Sequence, residues 1–381
     1  MAYESVNKLQ KVLQEKVFHY AKDSKKAAGR ALGTMVEIIT YYLLKTWELN
    51  DSISIERGLG EYGNPEITHN VEYSLHPVIA NHSIKFPNDG KSITSSRVLK
   101  VLADNKIDLK LFTPKKTTNL LSKDLTLRNA CTLAVSDTSY LLCSFDKQVD
   151  DNFVLRVYEQ RHKAYAIFEC KRVGIEEGMK KGPQTIEKAK QGAYVARSVS
   201  SLQKIRNEAG ALLGIIYKSN GKIISKPFAE LMEEVIYSND AELLRRFILT
   251  VGVVSNHGNW FTSTNQNKEL KVLAQSYDWL LFLTDKGLAH FIEKLLLSPI
   301  LEHEVIKEAF QASYTGGKRK NQFTKVQMSL KADKMLLKYF RDNLKEVEGW
   351  FNIISPSGKT IKTLKSELHE LKIKNWKKIL A

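Results

Sequence analysis

The stretch Tyr165-Ala166-Ile167-Phe168-Glu169-Cys170-Lys171 constrains this chain more than any other, because it suits a strand and is almost wholly apolar until it delivers two charges. Successive side chains of a strand point to opposite faces. Ile167, Glu169 and Lys171 therefore share one face, and Phe168 and Cys170 share the other. A carboxylate and an ammonium at the end of an apolar strand are costly to bury unless they have partners. Spacing alone is equally consistent with a surface ion pair where an edge strand emerges.

At 381 residues the chain suits one large domain or two ordinary ones. Lys and Arg number 58 against 42 Asp and Glu, a formal net charge of +16. A surplus that large favours a polyanionic partner, either nucleic acid or an anionic membrane. No apolar run approaches the length of a membrane span, and the first residues lack the basic-then-apolar pattern of a signal peptide. Nucleic acid is the expected partner, with no membrane, in a cytoplasmic protein. Cys131, Cys143 and Cys170 have neither metal-ligand spacing nor an even disulfide set, so they read as reduced thiols, with Cys170 facing the core.

Helical apolar spacing covers 3–21 and 27–47. In the second helix Glu37 sits in an apolar run, with Gly33 one turn earlier leaving room for another group; a solvated helix edge is the competing reading for Glu37. Residues 51–90 look irregular, with short strands at 52–56 and 68–74, and 95–102 reads as a capped helix with basic flanks. The region of about 51–135 is expected to be an insertion that contacts DNA. Strands at 140–145 and 153–158 and the opening strand predict a meander, followed by a helix over 185–206. A strand at 211–217, a helix at 228–236 and apolar runs at 247–254 and 279–283 carry the sheet to about 285. Alternating strands and helices predict an α/β (α+β) fold with a mixed central sheet flanked by helices. Residues 286–381 are expected to form a mostly helical, basic region with a hairpin-like 350–359. Its Lys318-Arg319-Lys320 run, with Lys180 and Lys181 in the core, are the candidate DNA contacts.

Hydrolysing a phosphodiester needs an activated water and neutralised charge, which divalent metal ions held by carboxylates supply. Mg²⁺ takes oxygen ligands, often only one or two carboxylates, and a nearby lysine can orient water or offset phosphate charge. Asp150 and Asp151 stand just before the strand 153–158. A hairpin from there would bring the start of that strand beside the end of the next, where Glu169 and Lys171 lie. Asp151 is preferred as the closer to the strand; Asp150 and Asp146 stay open as turn residues or ligands.

With Asp151, then Glu169-Cys170-Lys171 as an ExK element closing an apolar strand, then helix, strand and helix, the chain resembles the PD-(D/E)XK nuclease superfamily and its type II restriction endonucleases. The match spans about 27–285. The resemblance implies a restriction-endonuclease-like sheet, Mg²⁺ on Asp151, Glu169 and the Cys170 backbone carbonyl, and Lys171 as the catalytic lysine. It further implies a metal-side role for Glu37 and a Gln on the following helix, matched by Gln191. Tyr194 lies one residue closer to that Gln than in the exonuclease branch, and Val149 stands where a Pro would precede Asp150.

A GxxxxGK[ST] loop, an HExxH pair and a GxSxG elbow are all missing, so no nucleotide cofactor is expected. His76, His82 and His257 sit in turn-rich contexts and read as non-catalytic. The expected function is Mg²⁺-dependent, sequence-specific cleavage of double-stranded DNA by a homodimer. The alternatives are a structure-specific repair or phage-related nuclease of the same fold, and a DNA-binding protein in which Glu169 and Lys171 are only structural.

Overall fold

The computed structural model describes residues 6–19, 23–58, 70–174, 193–194, 200–257, 268–314 and 321–381. It is mixed α/β, and the chain divides into two units. The first comprises Met1–Ile55, Val78–His162 and Lys286–Val347; the second comprises Glu56–Pro77, Lys163–Asp285 and Glu348–Ala381. The segments interleave, so the boundaries expected near 51–135 and 286 are replaced. The excursion from the second unit runs Val78–His162, and the C-terminal region is shared between the units instead of forming one basic helical part.

The second unit is built on a six-stranded sheet. Its strands are β1 (Ile53–Gly58), β2 (Asn70–Leu75), β3 (Ala166–Gly174), β4 (Leu249–His257), β5 (Trp279–Leu283) and β6 (Phe351–Ser355), in that spatial order. β3 pairs antiparallel with β2 and parallel with β4, and β4 pairs parallel with β5. The near-continuous apolar run of β5 suits a strand covered on both faces. The helix Lys268–Ser276 places Leu270 and Leu273 against Val254, Leu280 and Phe282 on one face. On the other, the indole N–H of Trp279 donates to Glu367 of the helix Ile361–Ile373 at 2.8 Å. The expected hairpin at 350–359 is instead the single edge strand β6, antiparallel to β5.

A three-stranded antiparallel sheet of Leu202–Arg206, Leu212–Tyr217 and Ile223–Pro227 interrupts the passage from β3 to β4. The helix predicted over 185–206 therefore ends differently. Leu202 and Lys204 are buried with Gln203 less so, a period of two that sheet pairing selects over the helical one.

The first unit contains a five-stranded antiparallel sheet of Val78–Pro87, Asn152–Arg161, Ser139–Val149, Cys131–Val135 and Thr113–Pro114. Its core packs Ile84, Leu133, Leu141, Leu155 and Val157 against Val98 and Leu102 of the helix Ser95–Asp104. Thr94 caps that helix by accepting from the Arg97 N–H, as the predicted cap requires. The long helix Ser24–Thr46 is buried around most of its surface, and its Tyr42 and Lys45 hold Asp333 of the helix Leu330–Asp342 at 2.7 and 2.9 Å.

Candidate active site

The meander expected from the sequence does not continue into β3. The strand Asn152–Arg161 has both edges filled, by Ser139–Val149 on one side and Val78–Pro87 on the other. A strand has two hydrogen-bonding edges, so none is left for β3. The hairpin that would have set Asp151 beside Glu169 is not formed. Asp150 and Asp151 are the turn between two strands of the first unit, with Asp150 at φ 51° in the left-handed region that Asp tolerates. Asp146 is held by Arg156 across the same hairpin, at 3.0 Å.

β3 takes β2 as its antiparallel neighbour. The paired residues are Ala166 with Leu75, Ile167 with Ser74 and Phe168 with Tyr73. One step further, the register puts Glu72 opposite Glu169. The Glu72 N–H donates to Glu169 Oε2 at 3.3 Å. Lys171 Nζ then lies 2.9 Å from Glu169 Oε1 and 3.1 Å from Glu72 Oε1. Glu169 is 1 % exposed and Glu72 8 %, while the Lys171 side chain keeps 23 % exposure. This is not the surface ion pair of the simplest reading: two sunken carboxylates share one ammonium that reaches toward water.

Alternation spreads the polar face further. Glu72, Ser74 and His76 lie on one side of the β2 segment, facing the same way as Ile167, Glu169 and Lys171. His76 is fully buried, with Nε2 2.7 Å from Ser74 Oγ and 3.2 Å from Arg57 Nη1. These contacts give the histidine a structural partner set, in line with its reading as non-catalytic.

On the other flank, β4 pairs Gly252 with Glu169. Tyr277, 1 % exposed, covers that glycine. Burial, and then the charge of Glu169, hold the Tyr277 phenol well above its ordinary value, so it stays neutral. Cys170 faces the opposite side and is buried, and all three cysteines are free.

The donor set suits a hard cation, since two carboxylates on adjacent strands are the oxygen ligands that Mg²⁺ prefers. Among the described residues no group of three or more His, Cys, Asp or Glu side chains is arranged to hold a metal. A cation here would take two side-chain carboxylates and fill its remaining positions from backbone oxygen, water or phosphate.

The remaining predicted residues are distributed as follows. Glu37 is in the first unit, paired with the buried Lys325 at 3.3 Å, and the space beside Gly33 is open, so no group uses the room it leaves. Tyr194 is exposed. Gln191, Lys180, Lys181, Lys318, Arg319 and Lys320 lie outside the described residues. No protein-family model, no curated protein and no solved structure matches the chain. No helix among the described residues is long and apolar enough to cross a membrane.

Sequence reasoning missed Glu72. Its signal was present: a lone acidic residue between Val71 and Tyr73, in a short strand otherwise suited to burial. What local pattern lacks is any statement of which strand lies alongside.

Proposed function

We propose that the chain is a Mg²⁺-dependent endonuclease of double-stranded DNA, with Glu72, Glu169 and Lys171 as its active site. The observation that carries this reading is the pair of buried carboxylates on β2 and β3 sharing the Lys171 ammonium at 3.1 and 2.9 Å. A stable core does not need this arrangement, since replacing buried ions by apolar side chains is often neutral or stabilising. The resemblance to PD-(D/E)XK nucleases requires an acidic residue on the strand antiparallel to the ExK strand. In this topology Glu72, not Asp151, occupies that place, with a parallel strand following on the other side.

Glu72 and Glu169 would hold the ion, with the Cys170 carbonyl as a further oxygen. The chemistry bound Mg²⁺ supplies is an activated water and neutralised phosphoryl charge. Lys171 is the most exposed of the three side chains, and its ammonium is suited to donate to a phosphate oxygen or to orient water. The net charge of +16 supports a polyanionic substrate. Site-specific cleavage by a two-fold dimer is the form of this activity we favour, with the excursion Val78–His162 available for reading bases.

The deciding experiment incubates the purified chain with plasmid DNA and Mg²⁺ and maps the fragment ends. Discrete fragments that disappear in Glu169→Gln support a site-specific nuclease. Random nicking that disappears in the same variant points to a structure-directed one. DNA binding with no metal-dependent cleavage would overturn the enzymatic reading.

A further inference from the structure

We infer that Tyr277 is a positioning residue for Glu169, seated beside the carboxylate because Gly252 has no side chain. This rests on the nuclease reading above. In the parallel pairing of β3 with β4, Gly252 is the register partner of Glu169, and side chains at paired positions face the same way. A Cβ at Gly252 would stand 2.7 Å from Cδ2, 2.9 Å from Cγ and 3.0 Å from Cε2 of Tyr277. The phenol ring therefore lies on the bare backbone of the residue next to Glu169. Its near edge, at Cγ, is the part a side chain can least easily move.

The backbone around Tyr277 is fastened from two directions. Lys204, itself buried, donates from Nζ to the carbonyls of Tyr277 at 2.5 Å and Ala274 at 3.2 Å, with its ammonium 4.3 Å above the Phe228 ring. The next residue, Asp278, accepts at Oδ2 from both the N–H and the hydroxyl of Thr250, each at 2.8 Å. Its own N–H donates to Thr250 Oγ1 at 2.9 Å. Thr250 lies two residues before Gly252 on the same face of β4. Burying an ammonium and a carboxylate is costly, and apolar packing of one tyrosine needs neither.

The consequence is a carboxylate with a wall on each flank. Glu72 and Lys171 bound Glu169 on the β2 side, and the Tyr277 ring covers the β4 side and keeps water from it. Glu169 is thereby held in one direction before any ligand arrives, which is the preorganisation that metal binding and phosphoryl chemistry need.

The test compares Gly252→Ala, Tyr277→Leu, Tyr277→Phe and the double variant Gly252→Ala/Tyr277→Leu. Mn²⁺ affinity is read by calorimetry, plasmid cleavage with Mg²⁺ by gel, and folding by thermal melting. Because misplacing a reacting group by about 1 Å costs on the order of 100-fold, Gly252→Ala should cut cleavage by about that factor and weaken Mn²⁺ binding. Tyr277→Phe, which keeps the ring, should bind Mn²⁺ within about twofold of the unaltered chain. Tyr277→Leu should be impaired in Mn²⁺ binding and cleavage, and adding Gly252→Ala to it should cost nothing more. Should Gly252→Ala fail to fold, Tyr277→Leu decides alone. A Tyr277→Leu variant with undiminished Mn²⁺ affinity and cleavage, beside an inactive Glu169→Gln, overturns this inference and leaves the nuclease reading standing. An unaltered chain that neither binds Mn²⁺ nor cleaves overturns both.

Discussion

Lys171 and Glu72 meet at 3.1 Å although 99 residues separate them in the chain, and through that contact β2 and β3 become two sides of one site. Glu72 contributes its backbone N–H to Glu169 as well, so the same residue orients one carboxylate and supplies the other. Its removal should therefore do more than delete a charge.

Glu72→Gln is expected to lower cleavage on the order of 10²–10³-fold, the usual cost of losing one preorganised polar group at a reacting centre. DNA affinity should hold, since no phosphate contact is lost. Asp151→Asn, in the turn of the first unit, should remain active. If kinetics on a plasmid substrate show the reverse order, the assignment of Glu72 fails.

Lys171→Met leaves Glu72 and Glu169 facing one another with no cation between them. Breaking a buried pair costs about 3–5 kcal/mol. Because Lys171 keeps 23 % side-chain exposure, water relieves part of this, and a loss of about 2 kcal/mol in urea unfolding is expected. Added Mg²⁺ should then stabilise the variant more than the unaltered chain, since an ion that binds only the folded state adds to stability by mass action. Equal shifts in the urea midpoint would mean that lysine and ion do not share the site.

Glu367 is fully buried, and burial raises its pKa from 4.5 to about 7, with the Trp279 N–H opposing the rise. A carboxyl raised on folding binds its proton more tightly in the native chain than in the unfolded one. Its favourable contribution is complete below pH 4.5 and is lost as pH rises through about 7, amounting to at most about 3 kcal/mol. Glu367→Gln keeps an acceptor for Trp279 and removes the titration. Urea unfolding at pH 5 and pH 8 should show the unaltered chain losing about 2–3 kcal/mol more than the variant. The same pH dependence in both would refute this.

Replacing Lys318, Arg319 and Lys320 together by Ala should weaken DNA binding and reduce its salt dependence. Each lost phosphate contact flattens the slope of log K against log salt by about 0.9. A backbone-tracking loop loses affinity equally for cognate and random duplexes, whereas a groove contact penalises the cognate site more, by roughly 1–3 kcal/mol per base. An unchanged affinity and slope would make these lysines a solubility feature only.

Much of this protein was legible in its residues. Alternation along 165–171 put Glu169 and Lys171 on one face and Cys170 on the other, and the structure agrees. The apolar runs at 247–254 and 279–283 form strands, and Thr94 caps the helix that follows it. These features depend on the chain's own period and on hydrogen bonds between near neighbours, which a sequence carries directly. The neighbour of β3 was different. Strands 139–149, 152–161 and 166–174 follow one another closely, and local pattern favours a meander. Only the tertiary structure decided that the middle strand fills its second edge with Val78–Pro87, leaving β3 to β2 and β4. A strand edge offers the same N–H and C=O groups to any partner. The choice is settled by which pairing lets all the apolar faces be buried at once. Sequence alone therefore determined which side chains Glu169 travels with, and the fold determined that it meets Glu72 on one flank and Gly252, under Tyr277, on the other.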